Sequence, residues 1–247
     1  MIRVEGVHKS YAGTHAVAGV SFTIQPGEIV GFLGPNGAGK STLLRMLSTY
    51  LEPDAGRIEI AGIDTVRDPL GARARLGYLP EHNPLFEGMR VRECLEFLAR
   101  MRGLNREERE QRLGLAAEQL GLAAVLQKRV RECSKGYRQR IGLAGALLGD
   151  PAVLLLDEPT HGLDPLQVLA LREFLHGISP GRAILFSSHI LAEVAAISSR
   201  VLLLHQGRLL LDEPTATLEQ RARAEGINLE QHIVRVIERA GGSTRLG

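Results

Sequence analysis

The spacing of apolar residues changes period along this chain, and each change marks an element. Ile2 to Val7 alternates apolar and polar, as does Val17 to Ile24, which predicts two half-buried strands. Gln25-Pro26-Gly27 follows as a turn. Glu28 to Leu33 is a hydrophobic run, a further strand, and Leu43 to Leu47 carries a helical pattern. Arg57 to Gly62 and Arg75 to Leu79 predict two short strands, the second stopped by Pro80. These pieces predict an antiparallel β-layer around a first parallel strand.

From Arg90 to Leu126 the period becomes helical, with apolar positions at Val91, Leu95, Leu98, Leu113, Leu120 and Leu122. Lys135 to Leu148 continues as a helix, and Ala152 to Leu156 is apolar throughout, as a strand covered on both faces must be. Pro165–His176 (helix), Ala183–Phe186 (strand) and Ile190–Ile197 (helix) follow. Val201 to Leu204 and Arg208 to Leu211 flank Gln206-Gly207, a hairpin signal. Thr215, with Thr217 as the alternative, is the expected cap of a following helix. Leu229 to Arg239 is a last amphipathic helix, and Gly241 to Thr244 is expected to fray. Strands alternating with helices predict an α/β fold on a parallel sheet. The expected division is a core from 1–89 and 150–215, a helical subdomain over about 90–149, and C-terminal helices over about 216–247.

Composition narrows the partners. The chain has 247 residues, 44% hydrophobic and 23% charged, which fits one large domain with a sizeable core. A net charge of +2 leaves no global footprint for nucleic acid. Arginines crowd the helical block, at Arg90, Arg92, Arg100, Arg102, Arg106, Arg109 and Arg112. Glu93, Glu96, Glu107, Glu108 and Glu110 are interspersed, so a solvated face of paired charges is expected rather than a nucleic-acid patch. Cys94 and Cys133 lack metal-ligand spacing and indicate a reducing compartment. No window approaches the ~20 apolar residues of a membrane span, and the start does not read as a signal peptide. Work at a membrane would therefore need a partner.

The candidate chemistry centres on Gly34-Pro35-Asn36-Gly37-Ala38-Gly39-Lys40-Ser41-Thr42, which contains G-x-x-x-x-G-K-[ST] between a strand and a helix. Glycines let successive backbone N–H groups turn inward, and a helix N-terminus adds unpaired donors and a dipole. Lys40 supplies a positive charge to β/γ-phosphates, and Ser41 offers a hydroxyl to Mg²⁺. The apolar run Val153 to Leu156 ends in Asp157 and Glu158. A carboxylate at the end of a buried strand beside such a loop suits Mg²⁺, and the next residue can orient or deprotonate a water. His189, after Ser187-Ser188, can reach a γ-phosphate as a donor, although a lone histidine after a strand is more often structural.

In order, Gly34 to Thr42, Cys133 to Arg140, Leu156 to Thr160, Gly162 to Asp164 and Ser188-His189 resemble the motifs of ABC transporter ATP-binding subunits. The likeness runs from Val4 to about Leu211. It implies a P-loop NTPase parallel-sheet core of the RecA-like kind, with an antiparallel β subdomain and an inserted α-helical subdomain. It implies ATP and Mg²⁺ as cofactors and hydrolysis that powers transport through a separate integral membrane permease, at the cytoplasmic face of the cell membrane. Tyr11 matches the aromatic that stacks on adenine. Ser134 and Gly136 match the signature element that contacts the γ-phosphate bound to the other protomer, so a homodimer, or a heterodimer with a similar ATPase, is implied. The family docks its permease in the groove between the Glu81 loop and the helical block.

Two departures stand out. Cys133 and Tyr137 replace the usual Leu and Gln of the signature. Glu81 replaces a glutamine and is expected to contact the metal directly or through water. Glu81 and the short C-terminus resemble the ATPases of ABC-2-type exporters. Leu209 to Thr215 nearly copies Leu154 to Thr160 but lacks the following Gly-Leu-Asp. Asp212 and Glu213 are therefore expected to be solvent-facing acids at a helix entry. The competing reading, a soluble ABC-type ATPase acting on ribosomes or DNA, would ask for two ATP units or a long coiled coil in one chain. A module that binds nucleotide without catalysis is opposed by Glu158 and His189.

Overall fold

A computed structural model describes residues 1–241, so Gly242 to Thr244 of the expected frayed tail lie outside the described residues. β1 (Ile2–Tyr11) and β2 (Thr14–Ile24) form a hairpin longer than the alternation predicts. Its turn is Ala12-Gly13, both at positive φ, and an Ala first in that pair gives no Asn-Gly or Asp-Gly signal. Register shifts around Val7 and Lys9 break the period of two, which hid the outer halves of both strands.

β3 (Ile29–Leu33) is buried along its whole length, and α1 (Lys40–Leu47) follows it. β4 (Ala55–Ile60) and β5 (Ile63–Asp64) complete a four-stranded sheet in the order β2-β1-β4-β5. That sheet is separate from the one holding β3, so the β-layer lies against the first parallel strand and does not surround it. The short α2 (Pro69–Ala74) has Asp68 as N-cap, accepting from Gly71 N at 2.8 Å, with Pro at its start. β6 (Leu76–Leu79) ends the first half.

The helical block holds α3 (Val91–Met101), α4 (Arg106–Gln119) and α5 (Lys135–Leu147). Its arginines depart from expectation. Among the described residues, Glu96 is the one interspersed glutamate that forms an ion pair, with Arg92 at 2.9 Å. Glu93 and Glu108 instead accept from the backbone N–H of Arg90 and Asn105 at their helix starts, which satisfies orphan donors. Arg112 pairs with Asp150, and Arg102 is turned in to donate to the carbonyls of Arg73 and Leu76.

β7 (Val153–Asp157), α6 (Pro165–Ile178), β8 (Ala183–Ser188), α7 (Leu191–Ile197), β9 (Arg200–His205), β10 (Arg208–Pro214), α8 (Thr215–Ala224) and α9 (Leu229–Gly241) follow. The second sheet runs β10-β9-β3-β8-β7-β6, parallel except for the β9–β10 hairpin. Alternate residues of its central strands feed two separate cores. Ile29, Leu33, Leu154, Leu156, Ile184 and Phe186 pack with the helical block. Val30, Phe32, Val153, Leu155 and Leu185 pack with α1 and the four-stranded sheet. With apolar partners on both faces, such strands must read as unbroken hydrophobic runs.

Beyond β9 one sequence expectation fails and another holds in part. Thr215 does not cap α8; its hydroxyl donates to Ser198 O at 2.8 Å, and among the described residues no side chain caps that helix. Asp212 is exposed as expected and Glu213 half-buried, but both belong to the end of β10, just ahead of α8, rather than to the helix itself. Asp212 takes both ends of the Arg200 guanidinium, at 2.5 and 2.7 Å, and Glu213 pairs with Arg221.

Candidate active site

Parallel pairing brings three strand ends to one edge of the sheet. Leu33 lies opposite Ser188, and Asp157 opposite Ser187. The loop after β3, the acids at the end of β7 and the histidine after β8 therefore leave from the same carboxyl edge, where open α/β sheets hold ligands. A cavity of about 390 Å³ opens there. Residues 35–42 line it together with Ala16, Glu81, Glu158, His161 and His189.

The loop owes its path to close backbone approach. Gly39 sits at φ 106°, and a Cβ there would strike the Ala16 carbonyl oxygen. At Gly34 a Cβ would strike Leu204 O, so the loop is pressed against both the β1–β2 hairpin side and β9. Lys40, only 6% exposed, donates to Gly34 O at 2.5 Å and Pro35 O at 3.2 Å. Burial lowers the Lys40 pKa, while Glu158, Asp157 and Glu81 oppose that shift.

Asp157 is buried and accepts from Ser187 Oγ at 2.6 Å. Burial pushes its carboxyl up from the ordinary range; Ser187, Lys40 and Ser41 pull it back, and Glu81 adds to the rise. Three carboxylates thus face one ammonium group, an excess of negative charge that suits a divalent cation. Among the described residues no cluster of three His, Cys, Asp or Glu forms a self-sufficient metal cage. Carboxylate and hydroxyl oxygens, as at Asp157 and Ser41, are the donor types Mg²⁺ takes alongside waters and phosphate oxygens.

Glu158 turns away from its neighbour. Its φ is +49°, unusual for a residue with a Cβ, and costs about 1–2 kcal/mol. Two contacts hold it: its N–H donates to Ser187 Oγ at 3.0 Å, and its Oε2 lies 3.0 Å from His189 Nδ1. The strained backbone puts the Glu158 carboxylate into the cavity while Asp157 stays beneath it.

Other predicted residues do not line this cavity. Tyr11 ends β1 at 47% exposure. Ser134 is the N-cap of α5 and accepts from Tyr137 N at 3.3 Å. Gly136 is buried against Gln167 of α6. The signature helix still reaches the site indirectly, since Gln139 Nε2 donates to Pro159 O at 2.9 Å. Asp164 caps α6 through Gln167 N.

Sequence reading missed Ser187, Ala16 and His161. Ser187 was visible only as one residue of a strand end; its tie to both Asp157 and Glu158 exists only once β7 and β8 pair. Ala16 takes part through its backbone carbonyl, which no side-chain motif reveals.

Comparison with known proteins identifies the family and agrees with the fold. The ABC transporter family model matches residues 17–161. The chain is 40% identical over 215 residues to the ABC transporter ATP-binding protein NatA of Bacillus subtilis (strain 168), covering 86% of this chain and 87% of NatA. A solved ATP-binding subunit of an ABC transporter superposes with a TM-score of 0.86 at 30% identity, covering 96% of this chain and 99% of its own. The dimeric bacterial ABC transporter cassette MJ0796 gives 0.78 at 25% identity, covering 87% and 99%. The family match over more than half of the residues, and a relative this similar along most of its length, establish that this chain belongs to the ABC transporter family as an ATP-binding subunit.

Proposed function

We propose that two copies of this chain, or one copy and a similar ATPase, clamp ATP between them and drive a separate membrane-spanning permease. The observation that carries this reading is a division. The phosphate loop, Glu158 and His189 share one cavity, while Ser134 and Gly136 of the same chain lie outside it. A triphosphate held at the loop would meet a helix N-terminus of the α5 type only from a second copy, and an exposed Ser134 N-cap is suited to an anion there. Tyr11, exposed on the hairpin beside the loop, is the proposed adenine platform.

Lys40 exchanges the carbonyls of Gly34 and Pro35 for phosphate oxygens. The N–H groups of residues 35–42 orient the chain of phosphates. Ser41 and Asp157 would hold Mg²⁺, with Glu81, which lines the same cavity, as a further oxygen donor; when bound, the ion would supply positive charge to the transferring phosphoryl group. Glu158 takes the proton of the attacking water, and His189 fixes its carboxylate. Residues 1–89 and 150–215 act as the core and 90–149 as the arm that carries the signature.

No helix among the described residues is long and apolar enough to cross a membrane. The proposed place of this subunit is peripheral, at the cytoplasmic face of permease subunits that do the spanning. The chain's likeness to the Nod factor export ATP-binding protein I of Rhizobium sp. (strain N33), 36% identical over 92% of this chain, supports export as the direction.

Trans-complementation tests the clamp. Lys40→Ala removes the loop's charge, and Ser134→Arg blocks the helix tip. Each variant alone is expected to be inactive. Mixed, they form pairs in which one site has both an intact loop and an intact tip, so ATP hydrolysis should return. A mixture as inactive as its parts would reject the clamp. A control concerns the near-copy of the acidic motif. Asp212→Ala removes a partly exposed pair with Arg200, worth under ~1 kcal/mol, and is expected to leave the hydrolysis rate unchanged. A dead Asp212→Ala enzyme would move the catalytic acids to β10.

A further inference from the structure

α3 and α4 run back to back through a short hairpin, and each turns a charged stripe toward the other. On α3 the stripe is Arg92, Glu96 and Arg100, four residues apart; on α4 it is Arg106, Arg109 and Glu110, at spacings of three and four. All six line one cavity of about 300 Å³ at the seam. None of its lining residues is shared with the nucleotide cavity.

The charges around it are not self-compensating. Arg92 is matched by Glu96 at 2.9 Å, and Arg109 spends one donor on Leu104 O at 2.8 Å. Arg100 and Arg106 have no ion-pair or side-chain hydrogen-bond partner among the described residues. Four guanidinium groups against two carboxylates leave a surplus of two positive charges in a concave site. Guanidinium groups match the planar, bidentate demands of phosphate oxygens, and converging forks raise both affinity and selectivity over a lone lysine. A solvated charged face, by contrast, needs no shared cavity and pairs its arginines with the intervening glutamates.

We propose that the α3–α4 seam is a second anion site, built for a phosphate group carried by an anionic phospholipid headgroup or a free phosphorylated molecule. Arg100 and Arg106 are its principal donors, and Arg92 and Arg109 flank them. Such a site would let the helical block sense phosphate chemistry independently of the ATP cavity.

The test uses the full chain with Lys40→Ala as background, so that the phosphate loop cannot report. Two probes are applied: vesicles of phosphatidic acid in phosphatidylcholine, by co-sedimentation, and inorganic pyrophosphate, by calorimetry. Binding to at least one probe is expected, falling with added salt. Adding Arg100→Gln and Arg106→Gln should weaken it by at least about tenfold, the scale of one charge-assisted hydrogen bond. Loss on vesicles alone identifies a lipid headgroup; loss with pyrophosphate identifies a free phosphate. Both side chains are exposed and unpaired, so the glutamine pair placed in the otherwise native chain should keep the parent hydrolysis rate, which verifies its fold. If neither probe binds, or the glutamine pair binds as the background does, the site does not exist.

Discussion

Glu158→Gln is expected to slow ATP hydrolysis by roughly 10²–10⁴, the usual worth of a positioned base, while ATP still binds. The substitution removes a proton acceptor and little else. Glutamine keeps the length of the side chain and an oxygen that can accept from His189 Nδ1, now 3.0 Å from Glu158 Oε2. The backbone N–H still donates to Ser187 Oγ, so the left-handed turn at φ +49° has the same support as before. Folding should therefore be unaffected. Binding should hold or tighten, because one of the carboxylates facing the triphosphate loses its charge. If ATP cements two copies and hydrolysis releases them, the variant should also accumulate as a dimer in ATP, visible by gel filtration. A variant that turns over ATP at the parent rate would transfer the base to another group in the cavity, His189 first. The expected loss of hydrolysis without the ATP-dependent dimer would keep Glu158 as base and remove the clamp.

How far the sequence reveals this site depends on what kind of atom does the work. The loop that lines the cavity was legible from Pro35 to Thr42, because its glycines, Lys40 and Ser41 lie at fixed spacing within one segment. Asp157 and Glu158 were legible because acids rarely end a fully apolar run unless a buried strand delivers them to a site. The sheet face was legible for a related reason: Val153 to Leu156 and Ile29 to Leu33 are hydrophobic at nearly every step, and the two cores behind them require it. What escaped was either backbone or tertiary. The Ala16 carbonyl, against which Gly39 closes, carries no side-chain signal. Ser187 gains its two partners only when β7 and β8 lie side by side. The Ala12-Gly13 hairpin and the bulges in β1 break the alternation that defines a strand. Thr215 looked like a helix cap by position, but its hydroxyl found Ser198 O instead, which local sequence cannot foresee. For the arginines of α3 and α4 the solvated face was legible and the pairing was not. Arg92, Arg100 and Arg106 are exposed, but Glu93 and Glu108 accept from helix-start N–H groups, and of the interspersed glutamates only Glu96 forms an ion pair among the described residues.

Lys40→Ala should abolish useful ATP binding, with affinity falling by about 10²-fold or more, since each hydrogen bond to a charged group is worth roughly 1.5–3 kcal/mol. Its setting makes the loss large. Lys40 is 6% exposed and is the one ammonium facing Glu158, Asp157 and Glu81. Without it the carboxylates at the cavity have no ammonium to offset them, and their repulsion of an incoming triphosphate adds to the missing contact. The cost to the free protein should be small by comparison. The hydrogen bonds to Gly34 O and Pro35 O disappear, but so does the burden of burying a cation, and the two effects oppose each other. Thermal unfolding separates them. The unliganded variant should melt close to the parent. A ligand at one hundred times its dissociation constant stabilises a fold by about 2.7 kcal/mol, so saturating ATP should raise the parent's midpoint and leave the variant's where it was. Lys40→Arg should rescue poorly, because the wider guanidinium must enter a space closed by the loop's own carbonyls. A variant whose midpoint still climbs with ATP as the parent's does would show that the backbone N–H groups of residues 35–42 hold the phosphates without the ammonium, and the charge argument for this cavity would fail.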